Sequence, residues 1–559
     1  MARWNIDVPV SKYVQGVGPA APDTVETASI ESVVRALEDQ KMIAIDTETT
    51  GLSNVSDYPL YWSVSWGKER VALHASTLPH FKHVLADTSK TWLLANAKFD
   101  MHMLANYGTP IQGKVHCIQV MHALLFAEES HKLKDMANDL LGNKWTDFQN
   151  TFGKISKKKG VTAEDVIRRA EVQDMPLLVE YACLDAWGTM ELYYILKKML
   201  EKELTYSLYP DTWPYIVTLW DYFARVEAVY TRVLWDQERV GIKIDMERVN
   251  DISPTIKKGL DNAEREVWRL AGRKLSTDSP DQLREKFFGP KERGNFGLKP
   301  LKKTKGGKKG EPKASTDAEV LQRIAEGNYP REARELAGAI LDYRDFAKMY
   351  KTYIVGIGRY VDARDRIHTT YNQDIARTGR LSSKEPNLQN IPNPEKDTRW
   401  RIRSVFIARE GYTLIVVDYK QLEMRLLACA ANDPDMQGVF HRNWDIHMGN
   451  ASLMYGVPYD DIVLAKKTRK AVDAKELEES ALTEYMVECL GYRNDVKNIG
   501  FGQPASQAEV KPAQNGETYG RNAYGNPVLP SVMGSVSTWG PTPPQQKGLA
   551  QGSHSPCFC

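Results

Sequence analysis

The string IAIDTETTGL, residues 43–52, sets Asp46 and Glu48 two residues apart in a β-like run, so both carboxylates leave the same side of the strand near its end. Two converging acids invite a divalent cation. Further along, LLANAKFDMHML carries Asn96 and Asp100, and YACLDAWGTMEL carries Tyr181 and Asp185 one helical turn apart on one face. Four acids and a phenol can then share one site. Two hard cations held by oxygen ligands roughly 3.5–4 Å apart activate a water and stabilise the leaving oxygen of a phosphodiester. The tyrosine would orient that water. Taken singly, each motif is unspecific: an Asp-x-Glu on a strand is commonly surface charge, and a Tyr and an Asp one turn apart are commonly a hydrogen-bonded pair. The ordered set within one domain carries the reading.

A second group has a different chemistry. Arg493, Lys497 and Phe501 recur at a spacing of four, which stacks two cations and one aromatic ring along one helical face able to hold a triphosphate and a base. Pro504 follows where that face would continue, and it disfavours helix at Gln503 while removing a backbone donor.

These residues need elements to hold them. From about residue 25 to 205, strand-like runs (KMIAIDTE, YWSVSWG, RVALHA) alternate with helical patterns such as HKLKDMANDLLG, which indicates an α/β domain. From about 206 to 503, long helical stretches surround a strand-rich part containing RIHTTYN and TLIVVD, an α+β pattern with a helical lead-in. Between the helices lies LKPLKKTKGGKKGEPKAS, residues 298–315, a lysine run broken by glycines. It is expected to be a solvated, flexible loop, and its lysines, Lys302 and Lys303 among them, also suit a phosphate clamp. Residues 1–24 read as a short leader without strong periodicity. Residues 504–559 hold 15 Gly and Pro but only five charged side chains, a low-complexity composition expected to be disordered. No internal repeat is visible.

With 559 residues the chain is too long for one core and calls for three or four domains. The 74 Lys and Arg nearly balance the 72 Asp and Glu, so net charge selects no class of partner and any partner must be argued from local sites. Six cysteines without a metal-type pairing, except the terminal Cys557 and Cys559, fit a reducing cytoplasm better than a disulfide framework. The N-terminus lacks the blocks of a signal peptide, and no apolar run approaches the roughly 18 residues of a membrane span. A soluble cytoplasmic protein without a membrane partner is expected.

The Asp46, Glu48, Asp100, Tyr181 and Asp185 set resembles the three motifs of the proofreading 3′-to-5′ exonucleases. The resemblance implies a ribonuclease H-like α/β domain over residues 25–205, with the four acids as ligands of two Mg²⁺ or Mn²⁺ ions and Tyr181 positioning the water. It further implies that Leu52 and Asn96 contact the 3′-terminal nucleotide of a DNA strand. LKDMANDLLG is similar to the helix that such domains carry between their second and third motifs.

RTGRLSSKEPNLQNIP (377–392) and LIVVDYKQLEMRLLAC (414–429) look like the family A DNA polymerases of bacterial polymerase I and phage type. The resemblance spans most of residues 25–503, with LKPLKKT and STDAEVL resembling the thumb, LDYRDFAKMYKTY the helix leading into the palm, and DIH (445–447) the fingers. It implies an α+β right-hand polymerase domain over 206–503, working in DNA replication in a bacterial or phage-infected cytoplasm on primer-template DNA and deoxynucleoside triphosphates. The residues agree with it. TLIVVDY reads as an apolar strand that presents the metal ligand Asp418 at its end, and Arg380, Asn387 and Gln389 lie in a Pro- and Ser-rich loop suited to minor-groove acceptors. By the same resemblance Glu423 crowds the sugar 2′ position, Arg425 supports it, Arg493 and Lys497 hold the triphosphate, and Phe501 lines its pocket.

The resemblance stops at Pro504. The family continues to a tyrosine one turn beyond the phenylalanine, where Ala505 stands, and later to a His-Asp-Glu motif bearing the second palm aspartate, which residues 503–559 do not contain. The polymerase domain is therefore expected to be incomplete at its C-terminus and its activity in this chain doubtful, while the exonuclease set is whole. An intron, a frameshift, a gene-end artefact or a biological truncation would each account for the switch. The rival readings are a stand-alone 3′-to-5′ exonuclease and the DNA-binding half of a polymerase whose C-terminal half is encoded separately.

Overall fold

A computed structural model describes residues 10–16, 26–142, 145–155, 160–203, 217–304, 312–392, 401–473 and 476–500, and three short segments near the C-terminus. The chain divides into two compact units, Met1–Leu414 and Ile415–Cys559.

The first unit opens on a seven-stranded sheet built from β1 (Ser11–Val14), β2 (Glu26–Thr27), β3 (Met42–Thr49), β4 (Pro59–Trp66), β5 (Glu69–His74), β6 (Thr91–Leu94) and β7 (Lys114–Cys117). Their order is β2-β1-β5-β4-β3-β6-β7. β3, β4 and β5 are antiparallel neighbours, whereas β6 and β7 run parallel to β3 on one side and β1 runs parallel to β5 on the other. β3 thus lies in the interior of the sheet, and MIAIDTET is buried along nearly its whole length, its polar second half included. Ile43, Ala44, Ile45, Trp62, Val64 and Trp92 make the dry centre of the core.

The longest covering helix, Met175–Leu200, begins on an Asp174 side chain that accepts from the Leu177 amide, and has a proline in its first turn, where a missing N–H costs nothing. A shorter helix, Ala97–Asn106, starts from Asn96 in the left-handed region (φ 48°), a conformation that Asn tolerates better than most residues. Buried Lys90 closes the end of helix Ile30–Glu38 by donating to the Leu37, Glu38 and Gln40 carbonyls at 2.8–2.9 Å.

Beyond residue 217 the same unit carries helix Ala228–Val240, long helices Met246–Ala271 and Arg331–Ala347, and two small antiparallel sheets. One has the order β12 (Phe406–Ile407), β8 (Ile242–Ile244), β9 (Arg366–Ile367); the other pairs β10 (Thr370–Asn372) with β11 (Ser382–Lys384). A buried carboxylate fastens this part to the sheet domain. Glu238 pairs with Lys98, lies 2.8 Å from His102 Nε2, and accepts the Tyr371 amide at 2.7 Å, so helix Ala97–Asn106 is gripped from the far side.

The second unit is helical in its described part: Leu422–Ala430, Pro434–His441, Ile446–Tyr455, Tyr459–Asp473 and Glu484–Gly500. Here one expectation is corrected. TLIVVDY forms no strand: residues 412–419 belong to no described ladder, and Ile415, Val416, Val417 and Tyr419 are exposed. A β-strand needs neighbours to satisfy its amides and cover its side chains, and none of the described residues supplies them. The last helix ends at Gly500, before Pro504. In the tail, expected to be disordered, Val510–Pro512, Thr518–Arg521 and Pro527–Val528 pair as three short antiparallel strands, and the remainder lies outside the described residues.

Among the described residues no helix is long and apolar enough to cross a membrane.

Candidate functional site

β3 delivers Asp46 and Glu48, and helix Met175–Leu200 delivers Asp185, to one place: ligand oxygens of all three lie within 4.8 Å of one another. Asp46 and Glu48 converge because side chains two apart on a strand share a face. Their register opposite Ser63 and Tyr61 of β4 fixes which face that is. Asp185 meets them because its helix crosses the sheet there, and Tyr181 precedes it by one turn.

Asp100 sits beside this group without joining it at ligand distance. It is buried, and Thr47 Oγ1 donates to its Oδ1 at 2.6 Å. Burial, and then the Asp46 charge, push the Asp100 carboxyl well above the carboxylate range. Asp46 is pushed up to about 6 by burial, opposed by Lys134. Glu48 is pushed up to about 8 by burial and then by Asp46, again opposed by Lys134. Desolvated acids that repel one another are a strained arrangement for the protein alone and a favourable one for a multivalent cation.

An all-oxygen donor set of this spread suits a hard divalent ion of the Mg²⁺ or Mn²⁺ kind, whose ligands stand at about 2.0–2.2 Å. The residues present therefore fit the metal that the sequence calls for. Tyr181 stands next to the cluster through the Lys134 ammonium that pairs with Asp185, its ring edge-on to Phe148 and Phe152. Burial, and then Glu48 and Asp46, raise its phenol above the ordinary range, so it stays protonated. Asn96 and Leu52 are exposed, Leu52 at 77%. A large apolar side chain left in water is a surface that a base or sugar can cover.

Two neighbours of the site escaped the reading of the sequence. Thr47 is hidden by its position between the two acids. Lys134 is the stronger omission: its ammonium forms an ion pair with Asp185 and stands 4.2 Å from the centre of the Tyr181 ring. Burial pushes it down to about 8, against the attraction of Asp46, Glu48 and Asp147. The signal in LKDMANDL was that Leu133, Met136, Ala137 and Leu140 define the apolar stripe, which leaves Lys134 and Asn138 together on the flank.

The other expected site residues are placed as follows. Arg380, Asn387 and Gln389 are exposed on the loop around β11, where Asn387 Oδ1 accepts the Gln389 amide at 3.0 Å and the Gln389 side-chain amide donates to the Leu381 carbonyl at 3.2 Å. Lys302 is held by Asp317 at 3.2 Å and Glu319 at 2.7 Å, and Lys303 bridges to Ala314. Residues 305–311 lie outside the described residues. In the second unit Asp418 is exposed and, among the described residues, belongs to no cluster able to share an ion. Glu423 lies in the first turn of helix Leu422–Ala430. Arg425 donates to the Lys420 carbonyl at 3.0 Å and covers the Phe440 ring at 4.6 Å. Arg493 lies on helix Glu484–Gly500; Phe501 and the Lys497 side chain lie outside the described residues.

Comparison with known proteins gives two family matches, "3′-5′ exonuclease" over residues 24–201 and "DNA polymerase family A" over residues 246–476. The chain is 30% identical over 457 residues to DNA polymerase I of Pseudomonas aeruginosa, which covers 78% of this chain and 46% of that protein. It is 32% identical over 384 residues to DNA polymerase I of Rhizobium leguminosarum, covering 68% of this chain and 34% of the relative. The chain thus spans about half, or less, of the curated relatives it matches. Its fold resembles the polymerase domain of Pol1 from M. smegmatis, solved in complex with DNA primer-template and dNTP, with a TM-score of 0.58 at 22% identity, covering 89% of this chain and 81% of that one.

Proposed function

We propose that in this chain, whose residues 24–201 match a 3′-5′ exonuclease and residues 246–476 DNA polymerase family A, the Asp46, Glu48 and Asp185 site hydrolyses the terminal phosphodiester at DNA 3′ ends. The observation that carries this is the gathering of three carboxylates, two buried and Asp46 half-buried, from two elements within 4.8 Å, with a protonated tyrosine beside them.

Asp46, Glu48 and Asp185, with Asp100 beside them, would hold two Mg²⁺ or Mn²⁺ ions. Such ions, when bound, lower the pKa of a water and neutralise charge on the leaving oxygen. The chain's own residues do the rest. Thr47 and burial hold Asp100 in place, while β3 and the helix keep the other acids converged. The Tyr181 hydroxyl, anchored by Phe148 and Phe152, keeps its proton and so can orient a water at the scissile phosphate through a hydrogen bond. Leu52 and Asn96 are suited to the terminal nucleotide.

The polymerase segment supports a second activity, templated extension with deoxynucleoside triphosphates. In that reading Asp418 is the metal ligand, Glu423, Arg425, Arg493, Lys497 and Phe501 serve the incoming nucleotide, and Arg380, Asn387, Gln389, Lys302 and Lys303 serve the DNA. Residues 503–559 contain no His-Asp-Glu string to supply a second palm carboxylate. Two-metal phosphoryl transfer depends on charge from more than one acid, so this chain by itself should extend primers poorly.

The test is a labelled primer-template with a 3′ mismatch, incubated with Mg²⁺ with and without deoxynucleotides. Shortening in both conditions is expected. Shortening followed by robust extension that is lost in Asp418→Ala would overturn the polymerase part. Unaltered shortening in Asp46→Ala would overturn the exonuclease part.

A further inference from the structure

Lys134 is the one cation the structure brings into the carboxylate cluster among the described residues, and the surroundings that hold it are specific. Its side chain, 14% exposed, comes from helix Leu133–Leu140 and forms an ion pair with Asp185 Oδ1. Two aromatic faces enclose the ammonium, Tyr181 at 4.2 Å and Trp145 at 5.3 Å.

Trp145 is itself fixed. Asn138, one turn after Lys134 on the same flank, accepts the Trp145 amide at 2.6 Å and donates to its carbonyl at 3.2 Å. On the other side Trp145 presses on helix Met175–Leu200 at Gly188, where a Cβ would come within 2.1 Å of the indole. The ring also stacks on Trp187 at 6.0 Å. A helix flank, an indole and a phenol ring therefore converge to keep one ammonium against one carboxylate oxygen.

We propose that Lys134 is a built-in counter-cation of the exonuclease site, occupying the Asp185 oxygen that a divalent ion needs and so setting how tightly that ion is held. The inference rests on the exonuclease reading and deepens it. Three converging acids, Glu48 and Asp185 buried and Asp46 half-buried, repel one another, and a nearby ammonium offsets part of that repulsion in the metal-free chain. The same positive charge opposes a divalent ion arriving a few ångströms away, and one oxygen cannot serve both at full strength. Lys134 is thus a positioning residue: it stabilises the metal-free site and weakens metal binding.

The experiment uses the full chain without DNA and follows Mn²⁺ binding by the electron paramagnetic resonance of free Mn²⁺. Wild type, Lys134→Gln and Lys134→Arg are compared, with Asp46→Ala as the control for the site, and thermal unfolding in chelator is recorded for each. Lys134→Gln should bind Mn²⁺ about tenfold more tightly, unfold at lower temperature in chelator, and gain more from added Mn²⁺ than wild type. Lys134→Arg keeps the charge and should stay within about threefold of wild type.

Equal or weaker Mn²⁺ binding by a folded Lys134→Gln chain overturns the proposal. If Lys134→Gln does not fold even with Mn²⁺ present, Asn138→Ala, which frees Trp145 and loosens the ammonium, must tighten Mn²⁺ binding, and failure to do so overturns it equally. Should wild type and Asp46→Ala bind Mn²⁺ alike, the exonuclease reading itself falls, a result distinct from a wild-type site that binds Mn²⁺ but ignores Lys134.

Discussion

Two stretches of this chain have nearly the same local recipe and opposite fates. MIAIDTET and TLIVVDYK are both β-branched, apolar runs that arrive at an aspartate. The first becomes β3, flanked by β4 and β6, with Ile43, Ala44 and Ile45 fully buried and Asp46 set among other acids. The second forms no described ladder, Val416 is 92% exposed, and Asp418 stands apart from any described acidic cluster. A strand is therefore not a property of its own sequence. Its amides and side chains are satisfied by neighbours, and so is the environment that turns a terminal aspartate into a ligand.

That contrast can be broken or sharpened by measurement. The largest expected difference is in amide hydrogen exchange. Residues 43–47 should exchange only through large-scale opening and residues 414–418 almost freely, a gap of about 10⁴-fold at an opening cost of ~5 kcal/mol; comparable protection in both stretches would show that the second pairs in solution. Next is catalysis. Asp46→Ala should slow 3′-end trimming by about 10³-fold, ~4 kcal/mol of transition-state stabilisation, while Asp418→Ala leaves trimming unchanged.

Stability should divide the two stretches as well. Ile45→Ala removes buried methyls from the packed core and should cost roughly 2–4 kcal/mol in denaturant unfolding, whereas Val416→Ala should change stability by less than about 0.5 kcal/mol.

A last comparison tests the charge environment. Glu48 is raised from an ordinary 4.5 to about 8, so the folded metal-free chain holds a proton that the unfolded chain releases. Stability in chelator should therefore be greatest below pH 4.5 as far as this group is concerned, and should be lost as pH rises from there to about 8. Glu48→Gln should flatten that decline, raising the melting temperature at pH 8 by roughly 2–4 °C per kcal/mol recovered. Asp418→Asn, in an exposed segment, should leave the profile as it is.

Much of the sheet domain and its acidic cluster was legible from sequence, because its information is local and periodic. A two-residue spacing puts Asp46 and Glu48 on one face, a four-residue spacing puts Tyr181 over Asp185, and alternating strand and helix patterns announce the sheet domain. Lys134 was not legible, since a lysine on the flank of an amphipathic helix is ordinarily solvated and only the crossing of that helix over Asp185 brings it inward. The same limit produced the misplaced strand at TLIVVDY, where hydrophobicity and β-propensity were present but partners were not.

The sequence by itself determined which side chains could do metal chemistry, which segments are helical, and which two families the chain resembles. The tertiary structure decided which acids actually meet, that Asp100 bonds Thr47 rather than joining the trio, that an ammonium sits beside them, and that Asp418 joins no cluster of acids among the described residues. The physical reason is that spacing along a chain sets direction over one or two turns, whereas proximity between β3, helix Met175–Leu200 and Lys134 depends on how whole elements cross when their apolar faces pack.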